Sequence, residues 1–240
     1  MTDGESVVAD LLERLGRHPA RGLDLDLEAP EGVARWFVAA CLLSCPGGER
    51  RALDAFRALE RAGVSRIDRL SPEDAERICE ALERAGQRRP EVTAARLLRA
   101  SSSLAEAYGG SLETLAAGAD DLEALGLRLS RLASGVGAAT ILRFLRPLRE
   151  RWPGARDVPL AGPARAAAVH LGLLREGEDP EGEAAALAAA LRALRGPPEL
   201  SDVEAALERL GARACLKNRP ERCPLAGRCP GRGAHPPETD

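Results

Sequence analysis

The sequence predicts an all-α fold, and three observations support this class. Apolar residues recur at helical spacing in nearly every segment. No segment shows the alternation of apolar and polar residues that is typical of a half-buried strand. The linkers are short and rich in Gly and Pro, as at Gly109-Gly110 and Gly196-Pro197-Pro198.

Helix boundaries follow from the ends of the periodic segments and from capping residues. Ser71-Pro72-Glu73-Asp74 supplies an N-cap, a proline at the first helical position and early acids. Ser201-Asp202-Val203-Glu204 has the pattern of a capping box. The predicted helices cover residues 5–16, 31–44, 48–62, 72–85, 90–107, 111–117, 121–132, 138–152, 163–175, 181–195 and 201–214.

Composition limits the classes of function. The 240-residue chain is 45% hydrophobic and 2% aromatic, so we expect a globular core of Leu, Ala and Val. The net charge of −3 excludes a globally basic surface, so nucleic-acid binding has to use a local patch. The first residues lack the apolar run of a signal peptide, and no apolar run approaches the roughly 20 residues of a membrane span. We therefore expect a cytoplasmic protein without a membrane partner.

Residues 129–142 read LSRLASGVGAATIL and predict two helices joined by a glycine turn. Two glycines let a backbone turn tightly and approach another surface closely. The amides of Gly135, Val136, Gly137 and Ala138 then form an anion site that suits a DNA phosphate. An ordinary helix–helix turn, which also often contains glycine, is the alternative interpretation.

The segment after the turn is rich in arginine. Arg143 and Arg146 fall near one face of the predicted helix 138–152, together with position 150, and form a candidate DNA-binding stripe beside the turn. The alternative is a solvated face on which Glu150 lies among the arginines.

Residues 215–229, CLKNRPERCPLAGRC, contain three of the six cysteines. In a cytoplasmic chain, clustered cysteines favour metal binding over disulfides, and metal sites usually need four ligands. Cys215, Cys223, Cys229 and His235 form C-x7-C-x5-C-x5-H, a workable zinc set. A cysteine from elsewhere is an alternative fourth ligand, although the other three have the setting of small core residues. A relic loop without metal is a further alternative.

Together these features resemble the endonuclease III-like helix-hairpin-helix DNA glycosylases, over roughly residues 31–229. The resemblance is carried by WFVAACLLS (36–44), GVGAAT (135–140), HLGLL (170–174) and the cysteine loop that follows the last helix. It implies the all-α, two-lobed fold of these base-excision repair proteins, with a C-terminal cysteine loop. The implied domains are a six-helix lobe over 31–152 that ends in the hairpin, a second helical lobe from 1–30 with 153–214, a metal or cluster loop over 215–229, and a flexible tail over 230–240.

The catalytic positions depart from the family pattern. The family's lysine nucleophile corresponds to Ala139, and no other lysine precedes residue 217, so lysine-based lyase activity on abasic sites is not expected. The family's aspartate corresponds to Ala161, and the nearest carboxylate is Asp157, the one catalytic candidate. The family's glutamine after the early helix is replaced by Cys45-Pro46.

The resemblance therefore implies a DNA-binding protein of this repair superfamily whose catalysis is altered or degenerate. The implied partner is double-stranded DNA, with damaged or abasic duplexes included. Tyr108, Trp36 and Phe37 are the aromatic candidates for contact with a flipped base. The alternative is a metal-stabilised interaction or regulatory protein on the same scaffold, favoured by the negative net charge and the missing catalytic side chains.

The resemblance also bears on the cofactor. The family loop C-x6-C-x2-C-x5-C holds a 4Fe–4S cluster, whereas this chain has C-x7-C-x5-C and lacks the second cysteine. On resemblance alone, an iron–sulfur cluster ranks above zinc. Its fourth ligand would be His235, a cysteine from elsewhere, or an exogenous ligand on an open iron. The basic residues of this loop suit a place against the DNA backbone; they are Lys217, Arg219, Arg222 and Arg228.

Overall fold

The computed structural model describes residues 3–177 and 180–229, and every regular element in these ranges is an α-helix or a 3₁₀ turn. The all-α prediction is therefore confirmed. The α-helices are α1 (Asp3–Leu15), α2 (Pro19–Gly22), α3 (Pro30–Leu43), α4 (Glu49–Arg61), α5 (Ala75–Arg84), α6 (Pro90–Tyr108), α7 (Leu112–Ala117), α8 (Leu122–Ser130), α9 (Ala138–Leu145), α10 (Gly162–His170), α11 (Pro180–Arg192) and α12 (Leu200–Arg213). The 3₁₀ turns are Pro72–Asp74, Arg146–Leu148, Pro153–Ala155, Cys215–Lys217, Pro220–Arg222 and Ala226–Arg228. No helix in the described ranges combines the length and the apolarity that crossing a bilayer requires.

The chain divides into two compact units. One unit comprises Met1–Pro19 with Pro159–Asp240, and the other is Ala20–Val158, here called the hairpin unit. The predicted lobes had their boundaries at residues 30 and 152, whereas residues 20–30 and 153–158 belong to the hairpin unit. The reason is burial, because Leu23 and Val158 lie in the same apolar core as the helices between them. The predicted tail, residues 230–240, lies outside the described residues.

The core of the hairpin unit is built around α3. This helix is apolar on nearly all sides, and Trp36 and Phe37 are each only 1% exposed. Phe37 packs edge-on against Phe144 of α9, with ring centroids 5.1 Å apart. The Trp36 indole donates to the Phe144 carbonyl oxygen at 3.0 Å, so the one polar atom of this side chain is satisfied inside the core.

The other unit has its own core, centred on the crossing of α10 and α12. Leu207 and Leu210 of α12 are buried there, together with Ala164, Ala167 and Ala168 of α10. The two helices meet at Gly211, where a Cβ atom would lie 1.8 Å from the carbonyl oxygen of Pro163. The crossing is therefore close enough to exclude any side chain at position 211.

Two predicted helices end at least five residues earlier in the structure than periodicity indicated. The predicted helix 138–152 stops at Leu145 and continues as a 3₁₀ turn containing Pro147, because proline lacks the amide that the helical ladder needs. The predicted helix 163–175 stops at His170, shortly before Gly172 adopts a left-handed φ of 70°. The four-residue helix α2 was not predicted.

One of the two predicted helix caps forms, and the prediction of the other is wrong. Asp74 accepts a hydrogen bond from the Ser71 amide at 3.0 Å, ahead of α5. The capping box predicted at 201–204 does not form, because α12 begins at Leu200 with Glu199 as its N-cap. Asp202 and Glu204 are instead buried inside their unit, 0% and 3% exposed.

Candidate functional site

The predicted hairpin consists of α8, which ends at Ser130, and α9, which begins at Ala138. The turn between them is anchored from inside the unit by apolar side chains. Leu132 and Val136 are buried, and the Val136 amide donates to the Ala133 carbonyl oxygen at 3.1 Å. Val136 thus holds the backbone on either side of it at a fixed place on the surface.

The two glycines of the turn differ in backbone conformation and in the space around them. Gly135 has φ = +89°, a left-handed conformation that L side chains rarely adopt. A Cβ atom there would also lie 2.7 Å from the Nε of Arg96. Gly137 has φ = −93° and ψ = 179°, which any residue adopts, and a Cβ atom there would meet nothing within 4 Å. Nothing in the fold of the unit therefore demands glycine at position 137.

The residues at the start of α9 are exposed to solvent. Gly137 is the N-cap, and no side chain caps this end of the helix. The amides of Ala138 and Ala139 fall in the first turn, where a helix offers no acceptor of its own, and both residues are exposed. Such amides, at the positive end of the helix dipole, can hold an anion without any particular side chain.

The predicted arginine stripe is only partly preserved. Arg143 and Arg146 are half-buried, on α9 and on the 3₁₀ turn after it. Because α9 ends at Leu145, the continuous helical face that was expected to extend to residue 150 is not formed. Arg149 is buried: its Nε donates to the Val158 carbonyl oxygen at 2.8 Å and its Nη1 to that of Arg146 at 3.1 Å. Arg149 therefore supports the local backbone.

Sequence reasoning missed Arg96, which comes from α6. Its guanidinium lies directly against the backbone of Gly135, and its Nη1 is 3.9 Å from the Sγ of Cys45. The side chain as a whole is half-buried, while its Nε is buried and has no hydrogen-bond partner within the described residues. No sequence pattern distinguishes Arg96 from its neighbours, since α6 also carries Arg99 at helical spacing.

The two positions that the sequence resemblance matches to the glycosylases' catalytic residues carry no acid or base. Ala139 is exposed at the start of α9, and Ala161 is the buried N-cap of α10. The Ala161 amide donates to the Oε1 of Glu204 at 3.2 Å, so a carboxylate from α12 caps α10 in place of a side chain on α10 itself. Asp157 is exposed in the turn after Pro153–Ala155. Its catalytic role stays a prediction.

The aromatic candidates for base contact are largely unsuitable. Trp36 and Phe37 lie in the core of the hairpin unit and are not accessible to a flipped base. Tyr108, the last residue of α6, is half-buried and is the one of the three with accessible surface. A stacking pocket of the kind that flips bases needs accessible aromatic faces, so Trp36 and Phe37 are corrected to core residues.

The cysteine loop, residues 215–229, brings three thiols near one another. It is held by Leu225, which is 2% exposed, and by Arg14, whose Nη1 donates to the Pro224 carbonyl oxygen at 3.3 Å. Burial, together with the nearby Cys223 and Cys229, raises the pKa of Cys215 to about 11. Cys229 Sγ lies 3.4 Å from the carbonyl oxygen of His170, at the end of α10.

The three thiols of the cysteine loop are of the type that binds a thiophilic metal, but they are not arranged as a metal site. Cys215, Cys223 and Cys229 are half-buried free thiols, the ligand type that zinc and iron–sulfur clusters take. Within the described residues, however, no three or more Cys, His, Asp or Glu side chains are grouped as a metal site. The predicted fourth ligand, His235, lies outside those residues. Cys41 is buried in the core of the hairpin unit, and burial raises its pKa to about 12.

Comparison with known proteins gives no relative of known function. None of the protein-family models matches the chain, and no curated protein matches it either. The function of the protein has to be inferred from its own residues.

Proposed function

We propose that the protein binds double-stranded DNA through the hairpin between α8 and α9, as a divergent member of the endonuclease III-like helix-hairpin-helix glycosylase superfamily. The observation that carries this proposal is Gly137, an exposed glycine whose φ and surroundings would accept any small side chain. Glycine also serves as the N-cap here, but its lack of a side chain is used fully only when another molecule's backbone approaches it closely. The exposed amides that follow in α9 supply the donors that a phosphate takes.

DNA is preferred over other anionic partners because of the sequence resemblance, which places GVGAAT at the family's DNA-binding hairpin. The net charge of −3 accords with a small contact that uses backbone amides and few side chains. We propose altered or degenerate catalysis, since alanine at positions 139 and 161 can neither attack a sugar nor transfer a proton. Any remaining glycosylase activity would have to use a relocated carboxylate, and an Asp157→Asn variant with unchanged activity would reject Asp157.

A thiolate-bound metal is part of the same proposal. Cys215, Cys223 and Cys229 would hold it, with His235 as the first fourth ligand to test, and an iron–sulfur cluster ranks above zinc by the resemblance. Its contribution there would be structural, linking the loop to the end of α12 as zinc and iron–sulfur sites commonly do.

A titration of duplex DNA against the protein tests the proposal. We expect binding at low salt that weakens as salt rises, with both intact and abasic duplexes. Gly137→Ala should weaken binding at least severalfold, because a methyl group would stand between the backbone and the phosphate. The free energy of unfolding should change by less than about 1 kcal/mol, because the poorer N-cap offsets the lower entropy of the unfolded chain.

The matched control is Gly126→Ala, in the middle of α8, where a Cβ atom also meets nothing within 4 Å. It should leave DNA affinity unchanged and stabilise the helix by about 1 kcal/mol. Absence of DNA binding by the wild-type protein at low salt would reject the proposal in favour of a metal-stabilised interaction protein on the same scaffold. The negative net charge and the alanines at positions 139 and 161 favour that second function.

A further inference from the structure

The C-terminal end of α10 lies against the cysteine loop. The Cys229 thiol donates a hydrogen bond to the carbonyl oxygen of His170, the last residue of α10, over 3.4 Å. Cys215 and Cys223 pack against the same apolar core as α10. Burial, and after it the nearby Cys223 and Cys229, raise the pKa of Cys215 to about 11. His170 and the three thiols therefore lie in one region of their unit.

The three cysteines of the loop leave a fourth ligand to be found, since thiolate metal sites usually have four. The other three cysteines of the chain belong to the hairpin unit, whereas the unit that contains the loop has all three histidines. One of them, His235, lies outside the described residues.

The histidine nearest the N-terminus is tied to the wrong end of α12. The His18 amide donates to Asp202 at 3.0 Å, in the first turn of this helix, whereas the loop begins after its last turn. Because a helix rises about 1.5 Å per residue, Asp202 lies on the order of 15 Å from the end of α12. A histidine side chain does not span this distance, so His170 is the histidine within reach among the described residues.

His170 also has the electrostatic setting of a metal ligand. Zinc bonds are about 2.3 Å long to sulfur and about 2.0 Å long to an imidazole nitrogen, so a metal ion on the Cys229 sulfur would lie within one side-chain length of the His170 backbone. The residue stands at the C-terminal end of α10, where the helix dipole favours a positive ion. Closing the site takes rotation of half-buried side chains about single bonds, and each thiol releases its proton to become a ligand.

We infer that His170 is the fourth ligand of the metal held by Cys215, Cys223 and Cys229, in place of His235. Three thiolates and one imidazole form a set that zinc takes, and imidazole also replaces thiolate on the iron of some iron–sulfur clusters. This assignment rests on the metal site of the proposed function and not on DNA binding. It differs from the all-cysteine loop of the glycosylases, because one ligand comes from α10.

Metal analysis of histidine variants tests the assignment. Iron, sulfide and zinc are measured in the wild type, His170→Ala, His235→Ala and His18→Ala, each purified without oxygen and dialysed against a competing chelator. We expect His170→Ala to bind metal at least about tenfold more weakly, since even losing a residue that only supports a ligand costs that much. The other two variants should keep the wild-type content, and His170→Cys, which supplies a thiolate, should regain metal.

A second measurement separates a ligand from a residue that only packs. Thermal unfolding is recorded before and after the metal is stripped in reducing buffer. The wild type should become less stable on stripping, whereas His170→Ala should unfold at the temperature of the stripped wild type under both conditions. A packing role predicts instead that His170→Ala is less stable than the stripped wild type.

The outcomes are distinguishable. Metal retained by His170→Ala, or lost from His235→Ala, overturns the assignment of His170 and leaves the cysteine loop as the metal site. A wild-type protein without metal overturns both this assignment and the metal part of the proposed function. DNA binding is measured separately in the duplex titration, so its absence rejects the proposed DNA function without changing the result for His170.

Discussion

Asp74 shows how one side chain fixes the start of a helix. Its carboxylate accepts a hydrogen bond from the Ser71 amide and pairs with Arg77, which lies one turn further along. Both interactions favour the charged form, so the pKa of Asp74 is held below its ordinary value of 3.8, chiefly by the Ser71 amide and then by Arg77. A carboxyl group whose pKa is lowered on folding stabilises the protein above its ordinary pKa.

The first residue-scale prediction concerns the pH dependence of that stability. Asp74→Asn should lower the free energy of unfolding by about 1 kcal/mol at neutral pH, since the charge-assisted bonds are lost. The difference should shrink as the pH falls below the ordinary value of 3.8, where the wild-type carboxyl also becomes protonated through its lowered folded-state pKa. Urea unfolding at a series of pH values measures this difference.

Glu83→Gln, at an exposed position on the same helix, is the control for general charge effects. Its unfolding free energy should follow that of the wild type at each pH. A difference between wild type and Asp74→Asn that persisted unchanged into strong acid would mean that the charge of Asp74 contributes nothing.

At the scale of elements, the crossing of α10 and α12 depends on a single missing side chain. Gly211→Ala would place a Cβ atom 1.8 Å from the Pro163 carbonyl oxygen, and neither backbone can move without separating the helices. We expect a loss of about 3 kcal/mol in the free energy of unfolding, the range of an overpacked core, measured by denaturant titration.

The matched variant is Gly162→Ala at the first position of α10, where a Cβ atom meets nothing within 4 Å. It should be neutral or slightly stabilising, because alanine favours the helix. Equal stability of the Gly211→Ala variant and the wild type would show that the two helices can separate there at little cost.

Most helices could be predicted from the sequence, whereas the residues at which they end could not. The 3.6-residue period depends only on neighbours in sequence, so the long helices were found. The end of α9 depends on Pro147, which periodicity ignored, and the true partner of Glu204 is the amide of Ala161 on another helix. A capping pattern names the residues that can cap but not the helix end that they reach.

At the scale of the whole chain, the candidate site was predictable where it is local in sequence. The turn with Gly135 and Gly137 is one continuous segment, so its helices and amides could be placed. Arg96 belongs to a different helix, and only packing brings it to the turn. The burial of Trp36 and Phe37 was also decided by packing. The sequence of an apolar helix is the same whether an aromatic residue on it faces the core or a binding pocket.

The last prediction concerns the two properties that we propose for the chain, a metal held by the cysteine loop and DNA binding by the hairpin. The cysteine loop belongs to the unit made of Met1–Pro19 and Pro159–Asp240, while the hairpin belongs to Ala20–Val158. Cys223→Ser should therefore remove bound metal and lower the thermal stability of the protein, because metal bound only by the folded state stabilises that state. The DNA affinity of the hairpin should remain, since the hairpin and the loop belong to different units.

Iron, sulfide and zinc analysis of protein purified without oxygen measures the loss of metal. The control is Cys79→Ser, which changes a half-buried cysteine of α5 and should leave the metal content unchanged. Iron with sulfide in the wild type would support the iron–sulfur ranking, and a colourless protein with stoichiometric zinc would reverse it. Metal retained by Cys223→Ser would reject the loop as the binding site. DNA affinity is measured on the same samples. Loss of DNA affinity together with the metal would contradict the assignment of the two properties to separate units.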